Sequence, residues 1–447
     1  MEKEKNLTEG NILKSLMGFA LPVLLAMFLQ ALYGAVDLLI VGQFATTEDV
    51  SGVATGSMLL MTLTGVITGL AMGITILVGQ SIGEKNAKKA GDTVVNGTVI
   101  FAVLAIALTI AVVAFSDVLS KLMHAPKEAF EQTVSYVRIC GIGLIFIIAY
   151  NVLGGIFRGI GDSKTPLITV IIASIFNVVA DVILVAVFDM GAAGAAIATV
   201  IAQGASVLIS LFIISRKKLP FEIELSKQLI NKGIIVKILK LGIPVALQEL
   251  LVGISFLVIQ AQVNTMDVIA SAGVGVAEKL CGFIMLIPAS YMQSMSAFVA
   301  QNIGAGRMDR AKKALLCGIS TSLIAGVVIG GFSFFRGDLL AMIFTKETAV
   351  IAAAHDYMKA YAIDCLFTAF LFCFLGYFNG CGNTFFVMLQ GIVGAFCVRV
   401  PLVLLIRGIE NVSLFMIGLA TPASTVVQIV MCVIYYCIKR EKVKVDS

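Results

Sequence analysis

A few polar side chains stand where the surrounding sequence is apolar. Asp37 follows directly on residues 15–36, a stretch with no Asp, Glu, Lys or Arg. Gln30, Tyr33 and Asp37 fall at i, i+3 and i+7, one face of a helix. Asn177 and Asp181 stand at i, i+4 with Ser174 a turn earlier, and Thr199 and Gln203 repeat that spacing. Carboxylates beside amide and hydroxyl oxygens can hold Na⁺, a hard cation, or share a proton. The competing readings are a helix-end acid at the outer interface for Asp37 and a structural hydrogen-bond cluster for Asn177 and Thr199. A carboxylate at mid-membrane depth costs at least ~2.5–3.5 kcal/mol, which favours a functional reading. A second set, Glu249, Glu278, Asp364 and Arg399, interrupts later apolar segments. Glu278-Lys279 and Arg399 either pair across the interior as a structural feature or take a functional part. Asp364, one turn from Tyr361, faces either a cavity or the outer interface.

The elements holding these groups must cross a membrane. Of 447 residues, 59% are hydrophobic and 13% charged, with a mean hydropathy of +1.02. Soluble chains average about 25% charged residues, so there is too little charge to cover a globule in water. Uncharged runs such as 50–83, 93–116, 190–215 and 314–335 reach the ~18 residues a spanning helix needs. The run 365–398 is too long for one span and breaks at Asn379-Gly380-Cys381-Gly382-Asn383. Twelve helices are expected, starting near residues 12, 52, 92, 130, 164, 192, 234, 269, 313, 350, 384 and 413. Lipid offers no partner to unpaired backbone, and the alternation of a barrel is absent. The expected fold class is an all-α integral membrane protein.

Lys and Arg set the orientation. With the N-terminus inside, the tail, the even-to-odd loops and the C-terminus hold 23 of them, against five outside (Lys121, Lys127, Arg336, Lys346 and Arg407). A multi-pass protein of the cytoplasmic membrane with both termini cytoplasmic is expected. The net charge of +5 is thus a topology signal, and no nucleic-acid partner is expected. The start of the chain shows no removable signal peptide. Nine scattered Cys form no CxxC, and no GxxxxGK[ST], HExxH or GxSxG occurs. No enzymatic activity and no cofactor are expected.

The chain repeats at an offset of 221–222 residues. Gln80-Ser81-Ile82-Gly83 recurs as Gln301-Asn302-Ile303-Gly304, and Gly155-Ile156-Phe157-Arg158-Gly159-Ile160-Gly161 as Gly376-Tyr377-Phe378-Asn379-Gly380-Cys381-Gly382. Tyr136 matches Tyr357, and Pro22 matches Pro244. Residues 1–215 form an N-lobe of six helices, 216–240 a basic cytoplasmic connection, amphipathic around Leu219–Ile235, and 241–447 a C-lobe of six helices. An even number of helices per half predicts a pseudo-twofold axis along the membrane normal and a cavity between the lobes, an architecture suited to alternating-access transport. Pro22 and Pro244 are expected to bend the first and seventh helices, and Gly79, Gly83, Gly304 and Gly306 to shape cytoplasmic loops. At offset 222, Asp37 faces Ile259 and Asp181 faces Val403, so the acid pair belongs to the first half alone.

Taken together, these motifs resemble the multidrug and toxic compound extrusion (MATE) family, within the wider group that includes lipid-linked oligosaccharide flippases. The resemblance covers the whole chain. It rests on Pro22 with Val36-Asp37 and Val41-Gly42, Gln80 to Gly83, Phe157-Arg158-Gly159-Ile160-Gly161-Asp162, Asn177 with Asp181, Gly194-Ala195-Ala196-Ile197-Ala198-Thr199, and Gln301 to Gly306. It implies a secondary antiporter that exports amphiphilic or cationic compounds in exchange for H⁺ or Na⁺. In the DinF-like branch, the coupling site pairs an acid on helix one with Asn-x-x-x-Asp on helix five and a Thr on helix six, which Asp37, Asn177, Asp181 and Thr199 match. Another branch uses a Glu on helix seven and an Asp on helix ten; Glu249 departs from that branch's spacing. Gln30, Tyr33, Gln203, Glu249, Glu278 and Asp364 remain additional cavity or coupling candidates. Pro22, Gln80, Gly83, Arg158, Gly161, Pro244, Gln301, Gly304 and Arg399 are structural motif positions.

The expected partners are the lipid bilayer and small amphiphilic or cationic substrates, with the chain a monomer. The 28 Phe and 18 Met, with no Trp, suit promiscuous apolar binding but serve equally as lipid-facing filler. Two rival readings stand: a flippase, which would want a cationic cavity and for which Arg399 is the main support, and a membrane sensor or structural subunit without turnover.

Overall fold

Twelve helices long and apolar enough to span a membrane make up the computed structural model, which describes residues 7–221, 230–407, 409 and 412–445. They are α1 (Ile12–Phe44), α2 (Thr47–Gly83), α3 (Ala87–Ala114), α4 (Lys127–Ile160), α5 (Lys164–Val187), α6 (Gly191–Arg216), α7 (Lys232–Val263), α8 (Val268–Gly304), α9 (Met308–Ala341), α10 (Thr348–Gly380), α11 (Thr384–Arg407) and α12 (Leu414–Lys439). The expected all-α membrane architecture is the one observed. α2, α3 and α9 begin about five residues before their apolar runs because polar residues supply the first turn. Thr46 caps α2 by accepting from the Asp49 amide, and the Asp49 side chain returns to the Thr46 amide. Asn86 accepts from Lys89 at α3.

By contacts the chain divides into two compact units. One is built around Met17–Ala246 with Ala300–Gly306, the other around Leu247–Val299 and the residues from Arg307 onward. The division falls inside α7, just past Pro244. The expected amphipathic surface segment 219–235 partly lies outside the described residues, at 222–229. Its described ends differ from a surface strip: Phe221 is buried in a core with Ile74, Phe101 and Phe157, and Ile234 and Ile235 already belong to α7.

Glycine sets the closest helix crossings, and it does so identically in the two repeats. A Cβ on Gly155 or Gly159 of α4 would meet α2 at Ala71, Thr75 and Val78, the nearest atom 2.9 Å away. A Cβ on Gly376 or Gly380 of α10 would meet α8 at Met292, Ser296 and Val299, with Ser296 O and Val299 Cβ each 2.7 Å from that of Gly380. This small-xxx-small pattern lets backbones approach where lipid supplies no hydrophobic drive. Both helices then end in a left-handed glycine, Gly161 (φ 88°) and Gly382 (φ 79°), as C-terminal caps require.

Gly83 and Gly304 depart from the expectation that they shape loops. Each closes its helix, and a Cβ on Gly83 would strike the Gln301 carbonyl while one on Gly304 would strike that of Gln80. The two Gln-x-x-Gly motifs therefore pack against one another, and Gln301 also donates to the Gly159 carbonyl at 2.9 Å. The left-handed turn positions are Lys85 (φ 55°) and Gly306 (φ 70°) instead.

Between α4 and α5, Asp162 accepts from the Lys164 and Thr165 amides (3.1 Å each), the Thr165 hydroxyl (2.5 Å) and Lys217 Nζ at the end of α6 (2.8 Å). Burial works against its charge, but the Lys217 and Thr165 hydrogen bonds outweigh it and hold the carboxyl below its ordinary 3.8. A carboxyl depressed in the fold stabilises above its unfolded pKa and loses that contribution as pH falls through the folded value. In detergent melts, Asp162→Asn should unfold below the native protein near neutral pH, and the gap should close as pH drops below about 4. In the same assay Gly159→Ala and Gly380→Ala should each cost about 1–3 kcal/mol by overpacking. Gly331→Ala, with nothing within 4 Å of its Cβ, should be neutral or mildly stabilising.

Candidate functional site

Helix periodicity brings the first set of candidates together inside the first unit. Asp37 is 3% exposed, and Asn177 and Asp181 are fully buried. Asp37 reaches α1's inner face because residues at 33, 37, 40 and 41 fall on one stripe, of which Ile40 and Val41 pack into a core with Tyr136, Cys140 and Ala195. Asn177 and Asp181 lie on the buried face of α5, and Thr199 and Gln203 on that of α6, where small Ala residues at 195, 196, 198 and 202 allow close approach.

The Thr199 hydroxyl donates to Asp37 Oδ2 at 3.1 Å, and Gln203 Nε2 donates to the Tyr33 hydroxyl at 2.8 Å. Asp181 and Asn177 face the same carboxylate. Gln30 approaches Tyr33 from the preceding turn. Asp37 Oδ1, both oxygens of Asp181, both polar atoms of Asn177 and Gln203 Oε1 are buried without a hydrogen-bond partner. Neither acid has an ion-pair partner among the described residues. Two carboxylates without a cation can exist at this depth only if positive charge enters, as protons or as a hard cation. Four oxygen-bearing side chains fit either, and no cluster of three His, Cys, Asp or Glu occurs among the described residues. α5 changes from α- to π-helical geometry immediately after Asp181, over Val182–Val187, an irregularity often found beside functional groups.

Sequence reasoning missed Tyr136 as a member of this site. Its ring is 3% exposed and its hydroxyl approaches Thr199 beside Asp37. Its recurrence as Tyr357 was the available signal.

The second set is scattered. Glu249 is on the exposed face of α7. Asp364 is buried, 2% exposed, with Oδ1 unpartnered, so it does not lie at an exposed outer interface. The structural pairing of Glu278-Lys279 with Arg399 is absent. Arg399 instead donates to Ser255 Oγ at 2.9 Å and lies 4.3 Å from the Phe256 ring centroid, while Lys279 is exposed and Glu278 Oε1 is buried without a partner. A cation over an aromatic face needs no carboxylate contact to be favourable. Among the motif positions, Arg158 folds back over Gly154, with Nη1 3.2 Å from where a Cβ would stand, and its Nε and Nη2 are buried and unpartnered.

Comparison with known proteins bears on the family and the fold. The family model for MatE matches residues 22–183 and again 244–405, so each match begins at one of the paired prolines. The chain is 28% identical over 400 residues to the probable multidrug resistance protein YpnP of Bacillus subtilis, covering 89% of each chain. It is 24% identical over 446 residues to the multidrug export protein MepA of Staphylococcus aureus, covering 98% of this chain and 96% of that one. An outward-facing conformation of a multidrug resistance MATE family transporter of the MOP superfamily superposes with a TM-score of 0.92 at 19% identity, covering 99% of both chains. A MATE crystal structure in complex with MaL6 gives 0.92 at 19%, covering 99% and 100%. With both halves matched, the chain belongs to the MatE family and is a multi-pass membrane protein of the MATE transporters.

Proposed function

We propose that this chain is a secondary antiporter that exports amphiphilic or cationic drugs in exchange for H⁺ or Na⁺ by alternating access. It would act in the cytoplasmic membrane with both termini inside. The observation that carries this reading is the Asp37–Asp181 pair, buried without a cation and with three of its four oxygens unpartnered. Drug export accords with relatives named for multidrug resistance and multidrug export.

In this mechanism positive charge enters from outside and settles on Asp37 and Asp181. A proton would bridge or neutralise the pair, whereas Na⁺ would also draw on Asn177 Oδ1 and Thr199 Oγ1. Either occupant removes the repulsion between the acids and reorganises α1, α5 and α6. Gln30 and Tyr33 lie on the same stripe of α1 as Asp37, Gln203 of α6 donates to Tyr33, and together they transmit the change to bound substrate. The π-helical segment after Asp181 gives α5 a second hydrogen-bonding register at low cost. Substrate leaves outward, the ion escapes inward, and the two ligands weaken each other by the same factor.

The test is uptake of a cationic dye into proteoliposomes under an imposed pH gradient and, separately, a Na⁺ gradient. Native protein should accumulate dye under at least one of them, which identifies the ion. Asp37→Asn should lower gradient-driven uptake at least about tenfold, since couplings of 1–3 kcal/mol correspond to 5–150-fold. Thr199→Val, which removes the hydrogen bond to Asp37, should lower it about tenfold through weaker ion binding. Undiminished uptake in Asp37→Asn would exclude the α1 acid from coupling. No accumulation by native protein under either gradient would exclude antiport of the dye and favour the flippase reading.

A further inference from the structure

Arg158 follows directly on the uncharged run 139–157 of α4. Long basic side chains near the ends of spanning helices ordinarily run outward to the interface. Arg158 runs the other way. Its guanidinium lies back along α4 over Gly154, one turn earlier, with Nη1 3.2 Å and Cζ 3.9 Å from where a Cβ would stand. Glycine keeps that path open, because a larger side chain at 154 would take the space the guanidinium occupies. The second repeat shows the same backbone without the notch. At an offset of 221, Tyr150, Gly154 and Arg158, a stripe at i, i+4 and i+8, become Leu371, Leu375 and Asn379. Leu371 and Leu375 are 5% and 3% exposed, so apolar side chains fill that face of α10.

The guanidinium has no counter-charge among the described residues. Nε and Nη2, the two nitrogens of one edge of the fork, are buried and make no hydrogen bond. The nearest acid in sequence, Asp162, is committed elsewhere. It accepts from Lys217 Nζ at 2.8 Å, from the Thr165 hydroxyl and from the Lys164 and Thr165 amides. The polar neighbour on the stripe is the Tyr150 hydroxyl, which can donate a hydrogen bond but supplies no charge. Exposed Lys164, Arg216 and Lys218 stand at the same end of the unit, so the surrounding field draws anions rather than cations. A guanidinium turned into an apolar segment is favourable only beside a negative partner. One edge of its fork matches two oxygens of a phosphate.

We propose that Arg158 and the notch at Gly154 form a binding site for an oxyanion of the phosphate class. Nε and Nη2 donate to two of its oxygens, and the Tyr150 hydroxyl donates to a third. The site is separate from the acid pair, because Tyr136, the α4 residue beside Asp37, lies 22 residues from Arg158, about 33 Å along the helix. The chemistry suits the headgroup of an anionic phospholipid or free inorganic phosphate. Depth favours the lipid: the run 139–157 is 19 residues, about 28 Å or one hydrocarbon thickness, which sets Arg158 at the border with the headgroups. Binding here does not depend on the transport reading and is measured without it.

The experiment is thermal unfolding of the full-length protein in neutral detergent, titrated with dioctanoyl phosphatidylglycerol, dioctanoylglycerol or inorganic phosphate. A ligand of the folded state raises the melting temperature by mass action. Phosphatidylglycerol should do so saturably, and dioctanoylglycerol, which lacks the phosphate, should not. Arg158→Gln should weaken the apparent affinity at least about tenfold, as loss of a charge-assisted contact does. Gly154→Leu, which places the second repeat's residue in the notch, should do the same with the guanidinium retained. Lys218→Gln should leave the affinity unchanged. A saturable response to inorganic phosphate that Arg158→Gln removes would support the site and assign it to a free anion. Equal shifts with the two lipids would overturn the proposal, as would equal responses of the native protein and Arg158→Gln. If Arg158→Gln does not fold, Arg158→Lys keeps the charge without the fork and should bind more weakly. A native protein that answers to neither phosphate probe would overturn the proposal by itself.

Discussion

A carboxylate surrounded by helices has no water to solvate it, and a chain that places two there must give them positive charge from somewhere. Most of the first unit's polar chemistry follows from that constraint. Thr199 satisfies one oxygen of Asp37, and Gln203 is engaged with Tyr33, so neither supplies charge. What remains is a site whose polar atoms are largely unspent. An unpartnered buried carboxylate oxygen costs stability. Under the proposed reading, the group that costs stability when unpartnered is the one that makes binding of positive charge favourable, which is how an ion would bias a conformational equilibrium.

The repeat separates what packing demands from what chemistry demands. Gly155 and Gly159 cross α2 as Gly376 and Gly380 cross α8, and the left-handed caps at Gly161 and Gly382 follow both. These positions answer to backbone distance, which is the same problem in either half, so the same residue recurs. Polar positions answer to ligands and diverge. Asn177 and Arg399 occupy equivalent places, one neutral beside two acids and the other cationic beside an aromatic ring and a serine.

Helix number, helix boundaries and the first-unit site were legible because hydropathy, caps and i, i+4 spacing are local signals. Asp37, Asn177, Asp181 and Thr199 could be grouped in advance because i, i+4 spacing pairs polar residues within single helices and the family resemblance supplied the set across helices. The misreadings involve information that is not local. Gly83 and Gly304 read as loop residues because they end apolar runs, yet what they touch lies 218 and 224 residues away in sequence, at Gln301 and Gln80. Tyr136 stood out only through its recurrence as Tyr357 and was missed for the same reason, an aromatic in a helix rich in apolar residues whose hydroxyl finds Thr199 only in three dimensions. Opposite charges at Glu278 and Arg399 suggested a pair, but sequence carries no rotamer. Arg399 leaves its helix toward Ser255 and Phe256 on α7.

Charge that is covalently fixed and charge that comes and goes place different demands on a helix. A fixed guanidinium needs permanent partners, and Arg399 has Ser255 and the Phe256 ring, with its Nε buried and unpartnered. A site for an exchanging cation must tolerate both states, so its ligands cannot all be satisfied in either. Both fifth helices of the repeats contain a π-helical stretch, but Asp181 precedes its own (Val182–Val187) while Arg399 closes the other (Val393–Arg399). A register irregularity on the C-terminal side of Asp181 leaves that carboxylate at the end of regular helix. With Arg399 as the last residue of its irregular stretch, regular helix resumes at Val400, and the guanidinium is anchored from that side. Under the proposed reading, the two halves use one backbone device, placed differently relative to the charged residue, at a site that answers to an exchanging cation and at one that does not.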